Sequence, residues 1–521
     1  MKTYRKMKKT SGVLLPVFSL PSKFGVGDFG DNAKLFIDFL KKAGFSYWQI
    51  LPLSSTNAIN GYSPYSASSA FAGNLLFIDP MFFARVGLVD ENKILQFATK
   101  NTGKCNYDYA MSAKQEIISL AYTNFSANQS QFADLKAEFD NFSQENSDWL
   151  LPYADFITAK SIFNDVAWCD FPEAIKNRDT NAISELRENN KLSWDTVRFT
   201  QFIFYKQLGD IFNYAKSRGI GIISDLPFYI SYDSSDVWVD KANFSLYENG
   251  SQRGVAGVPP DYFSPTGQRW GNPLYDWSYM EQDNFSWWRK RIKHTLAYST
   301  LCRIDHIRAL AAYWNVNETC ETAIDGEWVK TPGYNLLHLV QEDFNGKLPL
   351  IAEDLGVITP HVRHMLTRFN LPRMKVLQFA FDSDKKNPYL PKNITTNTVC
   401  YTGTHDNSTI LGWCQSRDEI AFQKVLDLLK IKEKLTAEEL AKHLVRTCLV
   451  AKSKLAILPM QDILLKDDSC RTNVPGTCSG NWVWQMTDED FAFTIDKATS
   501  RELRKLNKIT ERAPYFSRIS K

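Results

Sequence analysis

The chain lacks a charge excess: 61 Lys and Arg stand against 58 Asp and Glu in 521 residues, a net charge of +3 without long blocks of either sign. No field is available to hold a phosphate backbone or an anionic membrane, which excludes nucleic acid and membrane as expected partners. Paired cysteines are also missing. The nine cysteines lie far apart without a Cys-x-x-Cys pair, which argues against a disulfide framework and a structural zinc site and implies a reducing cytoplasm. No segment approaches the ~20 apolar residues of a membrane helix. Basic Met1 to Thr10 followed by Gly12 to Leu20 has the outline of a short signal segment, but Pro16 interrupts it and no small-x-small site follows, so it reads as a first barrel strand. A phosphate-cradling Gly-x-x-x-x-Gly-Lys pattern is absent. His361 and His364 have no acidic or third histidine partner at ligand spacing, so neither a metal nor a cofactor is expected. Repeats and low-complexity tracts are absent too.

What is present is a set of apolar runs that end in carboxylates: Leu301 to Asp305, Leu350 to Glu353 and Tyr401 to Asp406. Breaking a glycosidic bond through an oxocarbenium-like state needs one carboxylate at the anomeric carbon and a protonated one at the leaving oxygen. Asp305 and Glu353 fit those two posts. If Leu301 to Asp305 is a strand, alternation puts Arg303 and Asp305 on one face, where the guanidinium keeps the carboxylate ionised, as a nucleophile requires. A purely structural Arg-Asp pair would look the same locally. Glu353 and Asp354 are adjacent, so only one can enter a barrel mouth, and the longer arm of Glu353 suits an acid/base.

Helix and strand patterns alternate along the chain. Asn32 to Phe45 reads as an amphipathic helix, capped by Asp31 or Asn32, with Leu35, Phe36, Phe39 and Leu40 on one face and Gly44 as its stop. A strand, Tyr47 to Leu53, follows. Phe202 to Ala215 leads into Ile220 to Phe228, and Trp287 to Ala297 into Leu301 to Asp305. Runs at 350–355, 376–381, 399–404 and 456–463 complete the series. This is the pattern of an α/β protein, a (β/α)8 TIM barrel whose active site lies at the C-terminal strand ends, where Asp225, Asp305, Glu353 and Asp406 fall. Residues 1–521 form one catalytic barrel domain in this reading, with a largely helical insertion at about 81–195 and an active-site lid loop at about 232–275. Thr436 to Glu439 has capping-box spacing. The remnant from Asp488 to Lys508 looks helical, too short for a C-terminal antiparallel β domain.

The order Asp, Glu, Asp at successive strand ends, with Arg303 before the first and His405 before the last, resembles the alpha-amylase superfamily. Within it the segment Val255 to Ser264, continuing through Thr266 to Pro273, looks like the active-site loop of 4-alpha-glucanotransferases, or amylomaltases. Ser63-Pro64-Tyr65, Ser69 to Asn74, Asp225-Leu226-Pro227, Met374 to Phe379 and Asn473 to Thr477 are similar to that family in the same order, so the resemblance runs from about 12 to about 485. Departures are Pro16 for His, Ile307 and Ala309 for Phe and Gly, Ala311 for Glu, Arg373 for Gly, Ser408 for an acidic residue and Gln485 for Arg. They bear on acceptor preference and rate more than on reaction class.

The resemblance implies retaining transfer of an α-1,4-glucan segment to another glucan or to glucose, with Asp305 as nucleophile, Glu353 as acid/base and Asp406, beside His405, on the donor's hydroxyls. Tyr65, Asp225, Trp270, Arg303, His306 and His405 are the expected substrate-binding residues. Malto-oligosaccharides, glucose and α-1,4-glucan polymers are the expected partners of a monomer or weak homodimer. A hydrolase would share the first chemical step, and a glucan-binding protein without turnover is a third reading, against which the intact Asp305, Glu353 and Asp406 argue.

Overall fold

Eight parallel strands close into a barrel in the order of the chain: β1 (Thr10–Leu14), β2 (Tyr47–Gln49), β3 (Gly221–Leu226), β4 (Leu301–Ile304), β5 (Leu350–Ala352), β6 (Arg373–Val376), β7 (Thr398–Tyr401) and β8 (Leu455–Pro459), which returns to β1. The computed structural model describes residues 9–260, 264–477 and 479–514. Asp261, Tyr262 and Phe263 of the family-like loop therefore lie outside the described residues. The expected (β/α)8 barrel is the architecture found. Its strands are mostly buried, as parallel strands with helices on their outer face must be.

Boundaries differ from the sequence reading where a strand gives way to a turn. The run at 376–381 is a strand only to Val376 and then a 3-10 turn, Leu377–Ala380, while the strand itself begins at Arg373. The run at 456–463 likewise turns helical at Met460. The first long helix spans Asp31–Ala43, and its N-cap is Gly30 without a side-chain bond, not Asp31 or Asn32. Ala33, Phe36, Ile37, Phe39 and Leu40 form its buried face, while Leu35 lies at the outer edge, 42% exposed. Gly44 does end it, at φ 80 with its N–H on the Leu40 and Lys41 carbonyls, a left-handed position that favours glycine. The capping box at Thr436 and Glu439 forms with both of its bonds.

Between 81 and 195 the described residues contain helices and no strand. The long helix Lys191–Arg218 joins these helices to the barrel. Its Phe199 and Phe202 pack with Phe125 and Phe139 of the preceding helices, and its C-terminal end feeds β3.

Part of the segment expected as a lid loop is built as strands of a sheet. Strands Val255–Val258 and Gln268–Pro273 join Ala312–Val316 and Gly326–Lys330 in a four-stranded antiparallel sheet whose last two strands carried no expectation. Gly257 is needed there, because a Cβ would meet the Gln268 carbonyl oxygen at 2.5 Å. Arg308 ties the outer strand to the barrel, its guanidinium 3.7 Å from the centre of the Trp328 ring.

The remnant from Asp488 is helical, in two helices, Asp488–Ile495 and Lys497–Ile509. Beyond them Arg512, wholly buried, donates to the carbonyls of Thr10 at 2.7 Å, Ala451 at 2.9 Å and Ser453 at 3.2 Å, sealing the seam between β1 and β8.

Candidate active site

Register brings the two principal carboxylates together. Arg303 pairs with Ile351 and Ile304 with Ala352, so Asp305 and Glu353, one residue past each strand, stand opposite each other on the same face. The ladder continues through them: the Glu353 N–H donates to the Ile304 carbonyl at 3.1 Å and the Ile307 N–H to the Glu353 carbonyl at 3.3 Å. Asp354 points the other way, buried, and accepts from the Met374 N–H at 2.9 Å.

Arg303, buried at the barrel's end, holds two carboxylates. Its Nη1 donates to both oxygens of Asp225 at 2.7 and 2.8 Å, and its Nη2 to Oδ1 of Asp305 at 2.8 Å. Burial opposes the charge on Arg303, but Asp225 and Asp305 outweigh it and push its pKa up. The two partners differ in access. The Asp305 side chain is 31% exposed and can reach a substrate, whereas that of Asp225 has no exposure. Asp225, expected to touch sugar, is sealed beneath Arg303 and the Tyr65 hydroxyl, which donates to it at 2.9 Å.

Glu353 is pushed up to about 7, first by burial and then by the negative charge of Asp305. Each of its oxygens also receives a main-chain N–H: Oε2 from His306 at 2.8 Å and Oε1 from Leu355 at 2.9 Å. His306 can aim its N–H there because it sits in the left-handed region, at φ 49. Its ring is held neutral, its pKa lowered by burial to about 4, and stands edge-on to Trp270 with centroids 4.9 Å apart. Nε2 of that ring has no hydrogen-bond partner among the described residues. Trp270 is 37% exposed at the edge of the four-stranded sheet.

Across the mouth, beyond β7, lies Asp406. His405 Nε2 is 3.3 Å from its Oδ2, and Asn473 Nδ2 donates to its Oδ1 at 2.7 Å. Burial raises the Asp406 pKa, but His405 and Asn473 together outweigh it and bring it to about 2. His405 is shifted up in return, burial opposing and Asp406 prevailing. Tyr65 stacks on His405 with centroids 5.2 Å apart, so one face of the ring expected to meet glucose is already covered. Trp482 closes the cluster, tilted against both rings.

The structure thus gathers all nine expected site residues around one mouth. Sequence reasoning assigned no role to Asn473, Arg471 or Trp482, or to the main-chain donors of His306 and Leu355. Asn473 stood within a recognised motif, but what it binds lies 67 residues away. Two of the departures, Pro16 and Ser408, line one small cavity behind His405 together with Asp462 and Arg471. Among the described residues no group of three His, Cys, Asp or Glu could hold a metal, and His364 instead meets the Tyr334 hydroxyl at 2.6 Å.

Comparison with known proteins identifies relatives of the whole chain. The family profile of 4-alpha-glucanotransferases matches residues 15–490. The chain is 42% identical to a 4-alpha-glucanotransferase of Synechocystis sp., over 92% of this chain and 94% of that one. Identity to the Thermus thermophilus enzyme of the same name is 39%, over 97% and 100%. Among solved structures, amylomaltase from Streptococcus agalactiae in complex with acarbose superimposes with a TM-score of 0.91 at 33% identity, covering 97% of this chain and all of that one. The chain belongs to the 4-alpha-glucanotransferase family.

Proposed function

We propose that this enzyme carries out the family's transfer of α-1,4-glucan segments with Asp305 as nucleophile and Glu353 as acid/base. The observation that carries the reading is the direct opposition of the two carboxyls on neighbouring strand ends. Parallel strands lie ~4.8 Å apart, close to the ~5–5.5 Å between carboxyls in retaining enzymes, where the second acts as nucleophile. Asp305, bonded to Arg303, attacks the anomeric carbon while Glu353, protonated near neutral pH, gives its proton to the leaving oxygen. Esterifying Asp305 removes the negative charge that helps raise Glu353. Its pKa falls, and it takes the proton from the incoming hydroxyl.

Asp406 stays anionic and holds donor hydroxyls, supported by His405. Such bonds strengthen as the ring distorts and add several kcal/mol in enzymes of this kind. Neutral His306 and exposed Trp270 form the acceptor wall, and Tyr65 and Asp225 brace Arg303 from below. The donors and acceptors are malto-oligosaccharides, glucose and longer α-1,4-glucans, in line with the acarbose held by the Streptococcus agalactiae structure. We read the chain as one catalytic domain carrying an inserted helical cap, acting as a monomer or weak homodimer in the cytoplasm. The unpaired state of all eight described cysteines supports that compartment. No helix among the described residues is long and apolar enough to cross a membrane.

Incubation with maltotriose tests the reading. A ladder of longer chains with glucose is the expected product set, and maltose with glucose alone would replace transfer by hydrolysis.

A further inference from the structure

Arg471 is a cation beside the cleft that pairs with no carboxylate among the described residues. Its planar fork instead spans three neutral acceptors: Nη2 donates to the main-chain carbonyl of Asp406 at 2.6 Å, Nε to that of Asn473 at 2.8 Å, and Nη1 to the Ser408 hydroxyl at 3.3 Å. The two carbonyls belong to the two segments that meet at Asp406. Asn473 is joined to the same turn twice more, its N–H on the His405 carbonyl at 3.0 Å and its side chain on the Asp406 carboxylate. Arg471 is therefore the outer clasp of a turn whose inner side presents Asp406 to the mouth. A lysine could not span these acceptors, since only the guanidinium holds several donors in one rigid plane.

We propose that Arg471 is a positioning residue for the donor-side carboxylate, fixing the angle of Asp406 by locking the turn 405–408 onto the segment 471–473. The inference rests on the reading of Asp406 given above. Ser408 supplies the longest of the three contacts, at 3.3 Å. Arg471 thus holds the turn by hydrogen bonds, with no ion pair of its own among the described residues. Several kinds of group can support a loop; what distinguishes this one is that its effect must pass through Asp406.

A double-mutant cycle tests that route. Arg471→Gln, Asp406→Asn and the pair are assayed with α-maltotriosyl fluoride as donor and maltotriose as acceptor, reading fluoride release, with circular dichroism and a melting curve for each variant. Arg471→Gln is expected to lower kcat about ten- to a hundredfold, the range for losing hydrogen bonds from a charged donor, with KM changed less than about twofold. In the Asp406→Asn background the same change is expected to have less than about a twofold effect, because the group it positions is gone. Arg471→Lys, run through the same cycle, is expected to recover part of the rate, and it carries the test if the glutamine variant does not fold. An equal loss in both backgrounds would overturn the proposal, as would wild-type kcat in Arg471→Gln while Asp406→Asn is impaired. Wild-type turnover in Asp406→Asn alone would overturn the reading of Asp406, and the role of Arg471 with it.

Discussion

Replacing Arg303 by methionine keeps much of the side chain's length and removes its charge, leaving Asp225 buried without the cation bonded to it. The Asp225 side chain has no exposure and loses both bonds from Nη1, keeping only the Tyr65 hydroxyl. Breaking a buried pair from one side costs about 3–5 kcal/mol, because the abandoned charge stays in a low dielectric. The unfolding entropy, at about 2.1 cal/mol/K per residue over a chain of this length, is roughly 1.1 kcal/mol/K, so the melting temperature should drop by about 3–5 °C. Changing Asp225→Asn as well removes the stranded charge and keeps an acceptor for Tyr65. The double variant should therefore melt higher than Arg303→Met alone, while transfer stays abolished because Asp305 has lost its partner. Calorimetry at one scan rate and a maltotriose assay read both quantities. An unshifted melting temperature in Arg303→Met, or a double variant that melts lower still, would refute the account of Arg303 as the charge that makes this buried floor stable.

Asp305→Asn should abolish transfer with the fold and glucan binding nearly unchanged, since an amide keeps the shape and loses the nucleophile; substantial turnover would point to another attacking group. Glu353, raised from 4.5 to about 7, is in its acid form below that pH and loses the proton above it. Hence kcat/KM for maltotriose should fall roughly tenfold per unit on the alkaline side of about pH 7, and a flat profile to about pH 9 would remove Glu353 from the acid post. Trp270→Ala should raise the ratio of hydrolysis to transfer, measured as glucose release against chain redistribution; an equal fall in both would show that Trp270 has no part in admitting the acceptor.

The barrel and its carboxylates were legible because each depends on a few consecutive residues: an apolar run, a period of two, a charge at the end. Arg303 and Asp305 share a face through that period, and Glu353 and Asp354 diverge through it. What escaped was whatever depends on partners far along the chain. Strand Ala312–Val316 forms between Val255–Val258 on one side and Gly326–Lys330 on the other, the first of them distant along the chain, so the lid read as a loop. The left-handed turn at His306 has no local signature, since only its outcome, a main-chain N–H on Glu353, accounts for it. Asp225 looked reachable because sequence tells which end of a strand a side chain occupies and not how deeply it is covered.

The seam closed by Arg512 also sets a schedule for synthesis. Its contact with Thr10 joins groups 502 residues apart, and at about 5–20 residues per second the ribosome needs roughly 25–100 s to deliver the second after the first. For most of that interval, until β8 emerges, β1 has β2 on one side and an open hydrogen-bonding edge on the other, the kind of edge that recruits strands from other chains. Among the barrel strands it is the earliest made and the latest to be fully paired, and nascent chains of this enzyme should therefore lean on chaperones chiefly to shield their opening strand.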